Sequence, residues 1–150
     1  MEIHQYPINI KWDKDNIGTL SSPELQSSIT VATPPQFEGG VAEIWSPEHL
    51  FTASVVSCFM TTFLAIASFS KFGFIDFQCG ANGVLEKPDG KYKMTRVNLK
   101  AQLTISDQNQ ADKARRLLEK SEKACLISQS IQSEITLETE ILFYSSKELV

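Results

Sequence analysis

The 150-residue sequence has few of the residues that mark a metal, nucleotide or nucleic-acid site. It contains two histidines, His4 and His49, and three cysteines, and their spacing matches no metal-ligand pattern. No phosphate-binding motif of the GxGxxG or Walker type occurs. The net charge of −4 and the lack of a basic cluster argue against nucleic acids and anionic membranes as partners. We therefore expect no metal, no cofactor, no nucleic acid and no membrane.

The sequence has only three cysteines, which is too few, and an odd number, for a scaffold built on disulfides. Three cysteines in a chain rich in regular structure favour a reducing compartment, where thiols are buried, catalytic or redox-sensing. The N-terminal stretch MEIHQYPINIKWD also lacks the basic and apolar segments of a signal peptide. The expected location is the cytoplasm.

Charge is absent from LFTASVVSCFMTTFLAIASF, residues 50–69. A run of about 20 apolar residues is long enough to span a bilayer. Six hydroxyl side chains interrupt this one, however, and no Lys/Arg-rich flank orients it. We therefore expect a helix that is buried on most of its circumference, and because a monomer of this size can hardly supply such burial, the run favours an oligomer.

The N-terminal third alternates with period two and predicts a three-stranded meander. The expected strands are residues 6–12, 19–22 and 28–32, the first with one face half-buried. Ser46 then suits the N-cap of a helix, Pro47 its first position and Glu48 the positive end of its dipole. We expect this helix to run to about Ser70.

The remainder predicts a second, antiparallel sheet with a C-terminal helix. Strands are expected within residues 74–105, with a turn at residues 87–90, and again in residues 133–144. A helix beginning near Asp107 is expected to carry Ala114, Leu118, Ser121 and Cys125 on one stripe. The order of elements indicates a single α+β domain over residues 1–150.

Two cysteines are expected to face inward from helices. Phe51, Val55, Cys58 and Thr62 share one stripe of the first helix, and Cys125 lies on that of the second. The two thiols could meet if the helices pack face to face. By contrast, Cys79 shares a strand face with apolar residues and is interpreted as a core thiol.

Three segments carry a resemblance to a known family. These are VATPPQFEGG, WSPEHLFTASVVSCFMTTFLAIA and KACLIS, the last of which contains Cys125. Together they resemble the OsmC/Ohr family, the osmotically inducible and organic-hydroperoxide-resistance proteins, and the likeness extends over nearly the whole chain. The resemblance implies an intertwined homodimer whose long central helices are buried between sheets, with sites at the subunit interface.

The same resemblance implies thiol-dependent reduction of organic hydroperoxides. On matching positions, Cys58 would be the attacking cysteine, Cys125 the resolving cysteine, and Glu48 would shape the site. The reductant would be a dithiol or lipoyl-type partner. Phe51, Val55, Phe59 and Phe63 are expected to line the site and to favour an organic substrate.

One family feature is missing, because the arginine of the N-terminal hairpin that would stabilise the thiolate is absent. Lys14 in the same turn could supply a cation, although without the bidentate geometry of arginine. Arg96 could reach in from another strand, but solvent exposure is the favoured interpretation. Otherwise the protein would be a divergent dimer with an apolar cleft or another thiol redox role. His49 is interpreted as a surface or interface residue rather than a base.

Overall fold

The computed structural model describes residues 1–144, which form two compact units. The first unit ends at Leu50 and the second begins at Phe51, so the boundary falls near the start of a long helix. The elements are mixed helix and strand, as the α+β prediction required. They are β1 (Asn9–Lys14), β2 (Ile17–Ser21), β3 (Ile29–Ala32), α1 (Pro47–Phe69), β4 (Asp76–Glu86), β5 (Lys93–Ile105), α2 (Ala111–Ala124), α3 (Leu126–Gln129) and β6 (Glu134–Phe143).

The first unit contains the predicted meander. Strands β1, β2 and β3 pair antiparallel in that order. The expected half-burial of the first strand is wrong, because all six residues of β1 are exposed. Its apolar side chains Ile10 and Trp12 are 67% and 73% accessible. The alternation marks a face suited to burial, but this chain leaves that face open to solvent.

The sheet of the second unit is mixed, not wholly antiparallel as predicted. Strand β4 pairs antiparallel with β5 through the expected turn, in which Gly90 has a φ of 79°. Strand β6 pairs with β5 in parallel. The segment between β5 and β6 contains α2 and α3, and a helical crossover of this length is what returns the chain to a parallel neighbour.

Helix α1 begins and ends close to the predicted positions. At its start, the backbone N–H of His49 donates to Ser46 Oγ at 3.1 Å, which satisfies one of the free donors of the first turn. At its end, Lys71 adopts a left-handed φ of 53° and the N–H of Phe72 donates to the Ala67 carbonyl at 2.8 Å. This is a C-terminal cap with a lysine in the position that glycine usually takes.

One side of α1 packs on the sheet and forms the core of the second unit. Val55, Phe59, Phe63 and Ala67 follow one another at helical spacing and are almost fully buried. The ring of Phe77 on β4 lies 5.8 Å from that of Phe59 and 5.3 Å from that of Phe63, centroid to centroid. The sheet contributes the alternate residues Val97, Leu99, Ala101, Leu103 and Ile105.

The other side of α1 is less buried than the sequence predicted. Met60 and Leu64 are each about two-fifths accessible, and Phe69 is 91% accessible. By length and composition α1 could also cross a membrane. Its packing against the sheet is that of a core helix. The apolar side chains that stay exposed could be buried by another protein surface.

Gly83 on β4 allows α1 to pack closely against the sheet, because it has no side chain. A Cβ at this position would overlap Thr52 Oγ1 and lie 2.8 Å from Met94 Cε, whereas a Cβ at Gly80 would meet no atom within 4 Å. We expect Gly83→Ala to lower the free energy of unfolding by about 1–3 kcal/mol, because the helix must shift outward. The matched control Gly80→Ala should change it by about 0.5 kcal/mol or less. Urea unfolding of both variants measures this, and equal effects would contradict the close packing.

Candidate thiol site

Cys58 and Cys125 lie together in the second unit. Cys58 occupies the middle of α1 and is half-buried, whereas Cys125 is fully buried. The two thiols are joined by a hydrogen bond between their side chains. Both cysteines are free thiols in this structure.

Cys125 does not lie on α2, and this part of the prediction is wrong. The buried stripe of α2 consists of Ala114, Leu117, Leu118 and Ser121, and the helix ends at Ala124. Cys125 has extended backbone angles (φ −63°, ψ 116°) and links α2 to the short helix α3. The break changes the direction of the chain, so the residues after Cys125 also approach Cys58.

The pKa of Cys58 is held below its ordinary value by hydrogen bonds. Burial raises the pKa of this thiol, but donors to its sulfur outweigh that effect. In order of importance these donors are the Cys125 thiol, the N–H of Ile127, the hydroxyl of Thr62 and the N–H of Leu126. They are neutral groups, so Cys58 is stabilised as a thiolate by hydrogen bonding.

The pKa of Cys125 is shifted in the opposite direction. Burial raises it first, and the hydrogen bond to Cys58 raises it further, because Cys125 must keep its proton to donate. The hydroxyl and the N–H of Ser128 offset part of this effect. The pair therefore contains one thiol favoured as the thiolate and one favoured as the protonated donor.

The opposite pKa shifts of Cys58 and Cys125 suit the two thiols to different chemical roles. The thiolate is the nucleophilic form of cysteine, and Cys58 is both the more acidic and the more exposed member of the pair. A buried protonated neighbour can condense with an oxidised sulfur and so form a disulfide. The predicted roles, attack by Cys58 and resolution by Cys125, would match these properties and stay predictions here.

Sequence reasoning did not find the donors from α3. No sequence signal marks Leu126 or Ile127 as a donor, because the groups concerned are backbone N–H groups placed by the break at Cys125. Thr62 had a detectable signal, since it shares a helix face with Cys58 at the i, i+4 spacing. Its part in the site was nevertheless not predicted.

The expected lining of the site by Val55, Phe59 and Phe63 is wrong, whereas Phe51 is half-buried and its part in the lining stays a prediction. Val55, Phe59 and Phe63 have no accessible surface and pack in the core, so a substrate cannot reach them. They point to the sheet because α1 buries this face there. Leu126, whose backbone N–H approaches Cys58, has a side chain that is 65% accessible.

Glu48 and His49 belong to the first unit, in the first turn of α1. The Glu48 oxygen Oε1 is inaccessible to solvent. His49 is held locally, with Nδ1 2.7 Å from Ser46 Oγ and its ring edge-on to Trp45 at 6.3 Å. A role of Glu48 at the thiol site therefore stays a prediction.

The two candidate cations lie in different places. Arg96 is exposed on β5 and its guanidinium lies 3.6 Å from Glu86 Oε1, in agreement with the favoured interpretation. Lys14 is the exposed last residue of β1, in the first unit. A contribution of Lys14 to the thiol site stays a prediction.

Cys79 packs against the core from β4 and is half-buried. Burial raises the pKa of its thiol, and a backbone hydrogen bond at Lys100 only partly offsets this. These are the properties of the core thiol that the sequence predicted. Over residues 1–144, no group of three His, Cys, Asp or Glu side chains is placed to hold a metal ion.

The structure is thus an α+β protein with a pair of neighbouring thiols. Comparison with known sequences identifies the family to which this chain belongs. Residues 40–140 match the family described as OsmC-like protein. This is more than half of the chain, so the protein belongs to the OsmC-like family. The resemblance to the OsmC/Ohr proteins is thereby confirmed.

Individual relatives are distant in sequence but similar in fold. The chain is 23% identical over 145 residues to the uncharacterized protein YmaD of Bacillus subtilis, covering 93% of this chain and 95% of that protein. An OsmC-like protein of unknown function from Vibrio cholerae aligns with a TM-score of 0.83 at 21% identity, over 92% of this chain and 100% of that one.

An organic hydroperoxide resistance protein from Legionella pneumophila aligns with a TM-score of 0.71 at 22% identity, over 93% of this chain and 99% of that one. At these identities the likenesses establish the fold. They confirm the predicted OsmC-like fold of the chain.

Proposed function

We propose that this protein reduces organic hydroperoxides by a two-cysteine mechanism, in which Cys58 attacks and Cys125 resolves. The observation that carries the proposal is the hydrogen bond between the two thiols, with the pKa of Cys58 lowered and that of Cys125 raised. Membership in the OsmC-like family and the fold shared with organic hydroperoxide resistance proteins support the choice of substrate class.

The first step is attack of the Cys58 thiolate on the hydroxyl oxygen of the hydroperoxide. A sulfur–oxygen bond forms as the O–O bond breaks, and the alkoxide leaves and takes a proton to become an alcohol. Cys58 is then a sulfenic acid. Its half-exposed position gives the peroxide access.

In the second step the Cys125 sulfur attacks the sulfur of the sulfenic acid. A disulfide forms, and the hydroxyl group of the sulfenic acid leaves as water with the proton from Cys125. The two electrons that restore both thiols come from an external dithiol, for which a lipoyl-type group is the class that we propose. No bound cofactor takes part in these steps.

We also propose that the protein acts as a cytoplasmic homodimer of single-domain subunits. The apolar area that α1 leaves accessible supports the dimer, because a second copy could cover the exposed side chains of Met60, Leu64 and Phe69. In the dimer, Glu48 would shape the thiol site. A monomeric mass by light scattering would contradict this assembly.

Cys125→Ser tests the assignment of roles. After one equivalent of cumene hydroperoxide, this variant should accumulate a sulfenic acid at Cys58 that dimedone traps, because the resolving sulfur is absent. The wild type should give little adduct and should instead lose two free thiols. Peptide mass spectrometry locates the adduct.

Cys79→Ser is the matched control and should behave as wild type, because Cys79 packs in the core. A dimedone adduct of Cys125→Ser at Cys79, or equal adduct in the wild type and Cys125→Ser, would contradict the two-cysteine mechanism.

A further inference from the structure

Hydroxyl groups along α1 make two kinds of contact. Ser54, Ser57 and Thr61 donate to backbone carbonyls of the preceding turn, at 2.7 Å to Phe51, 2.7 Å to Ala53 and 3.1 Å to Cys58. Back-bonding of this type is the usual state of serine and threonine inside a helix. Thr62 is different, because its Oγ1 lies 3.8 Å from the sulfur of Cys58.

The direction of the Thr62 contact is fixed by the protonation state of Cys58. A hydroxyl and a thiol can each donate, but a thiolate has no hydrogen and can only accept. When Cys58 is ionised, Thr62 is therefore the donor. Thr62 is half-buried, so water competes less for its hydroxyl than at an open surface.

We propose that Thr62 is a positioning residue of the thiol site, whose hydroxyl donates to the Cys58 thiolate and holds its sulfur in place. For its part in catalysis this inference rests on the proposed function, but the hydrogen bond itself belongs to the resting thiol. A neutral donor one helical turn away would then serve in place of a cation. Among the described residues, Cys125 is the titratable group that is hydrogen-bonded to Cys58 from another element.

Thr62→Val removes the hydroxyl and keeps the branched shape. The measurement is the rate of iodoacetamide alkylation of Cys58 against pH, read by peptide mass spectrometry so that Cys79 and Cys125 do not contribute. The rate rises with pH as the thiolate forms and levels off above the pKa. In Thr62→Val the midpoint should move upward by about one pH unit, because a donor to the charged form is lost.

Three further variants complete the design. Thr62→Ser restores the hydroxyl and should return the midpoint to the wild-type value. Thr61→Val removes a back-bonding hydroxyl from the next position and should leave it unchanged. If Thr62→Val does not fold, as judged by circular dichroism, Thr62→Ala gives the same comparison and should also raise the midpoint. A Thr62→Val or Thr62→Ala profile that superposes on the wild type, or an equal shift in Thr61→Val, would overturn the inference.

The experiment separates this inference from the proposed function, since alkylation requires no peroxide. A raised midpoint in a protein that forms no disulfide with hydroperoxide would support the role of Thr62 and reject the peroxidase. An unchanged midpoint in a protein that does form the disulfide would reject the role of Thr62 and leave the peroxidase in place.

Discussion

Replacing Cys58 with serine is expected to lower the rate of organic hydroperoxide reduction by at least about a thousandfold, because the variant lacks the nucleophile. A serine hydroxyl does not ionise in this pH range, and the donors of Leu126, Ile127 and Thr62 then have no thiolate to stabilise. The rate is measured by the loss of cumene hydroperoxide with an excess of a dithiol such as dihydrolipoamide.

Two comparisons make this result specific to Cys58. Cys79→Ser should retain wild-type turnover, since Cys79 packs against the core from β4. Circular dichroism of Cys58→Ser should match the wild type, because serine is close in size to cysteine and Cys58 is only half-buried. Residual turnover within about tenfold of wild type would mean that another group carries the reaction.

Replacing Phe63 with alanine is expected to lower the free energy of unfolding by about 3–5 kcal/mol. Phe63 has no accessible surface, and its ring lies 5.3 Å, centroid to centroid, from the rings of both Phe74 and Phe77. Alanine therefore leaves a cavity between α1 and the sheet and removes two aromatic contacts. Urea unfolding at one fixed protein concentration measures the loss, so that any change in association does not enter it.

Phe63→Leu is the matched variant and should cost less than about 1.5 kcal/mol, because most of the volume is kept. The ratio of the two effects distinguishes a cavity from a general disturbance of the helix. Nearly equal losses for alanine and leucine would contradict tight aromatic packing at this position.

Much of this architecture could be predicted from local pattern. The capping sequence Ser46-Pro47-Glu48 located the start of α1, because the chemistry of a helix N-terminus depends on neighbouring residues. The alternation in β5 identified its buried face, since side chains of a strand point to opposite sides. Helical spacing also placed Cys58 within α1, where the structure has it.

The remaining features depend on contacts between distant parts of the chain. The parallel pairing of β6 follows from where the α2–α3 segment returns the chain, and neither strand encodes it. The helix break at Cys125 interrupts a stripe whose spacing continues in the sequence, so residues 126–128 approach the thiols without a sequence signal. Phe59 and Phe63 were assigned to a substrate site because a helix that is apolar all round does not reveal which face meets the sheet.

Hydrogen-bond donors around Cys58 lower the pKa of its thiol although the family arginine is absent. A thiolate can be stabilised by hydrogen bonds as well as by a cation, and backbone N–H groups do not depend on side-chain identity. The N–H groups of Leu126 and Ile127, together with the Cys125 thiol, already lower the pKa of Cys58. In the proposed mechanism, these groups would take the part that the resemblance assigns to the arginine.

The most direct test of the two-cysteine mechanism is the intact mass and free-thiol count of the wild-type protein after one equivalent of cumene hydroperoxide. We expect the loss of two hydrogen atoms and of two free thiols, with a disulfide that links the Cys58 and Cys125 peptides and a Cys79 that remains free. An unchanged mass with three free thiols would contradict it. That result would mean that the fold is kept without peroxide chemistry, and that the apolar surface of α1 serves another ligand.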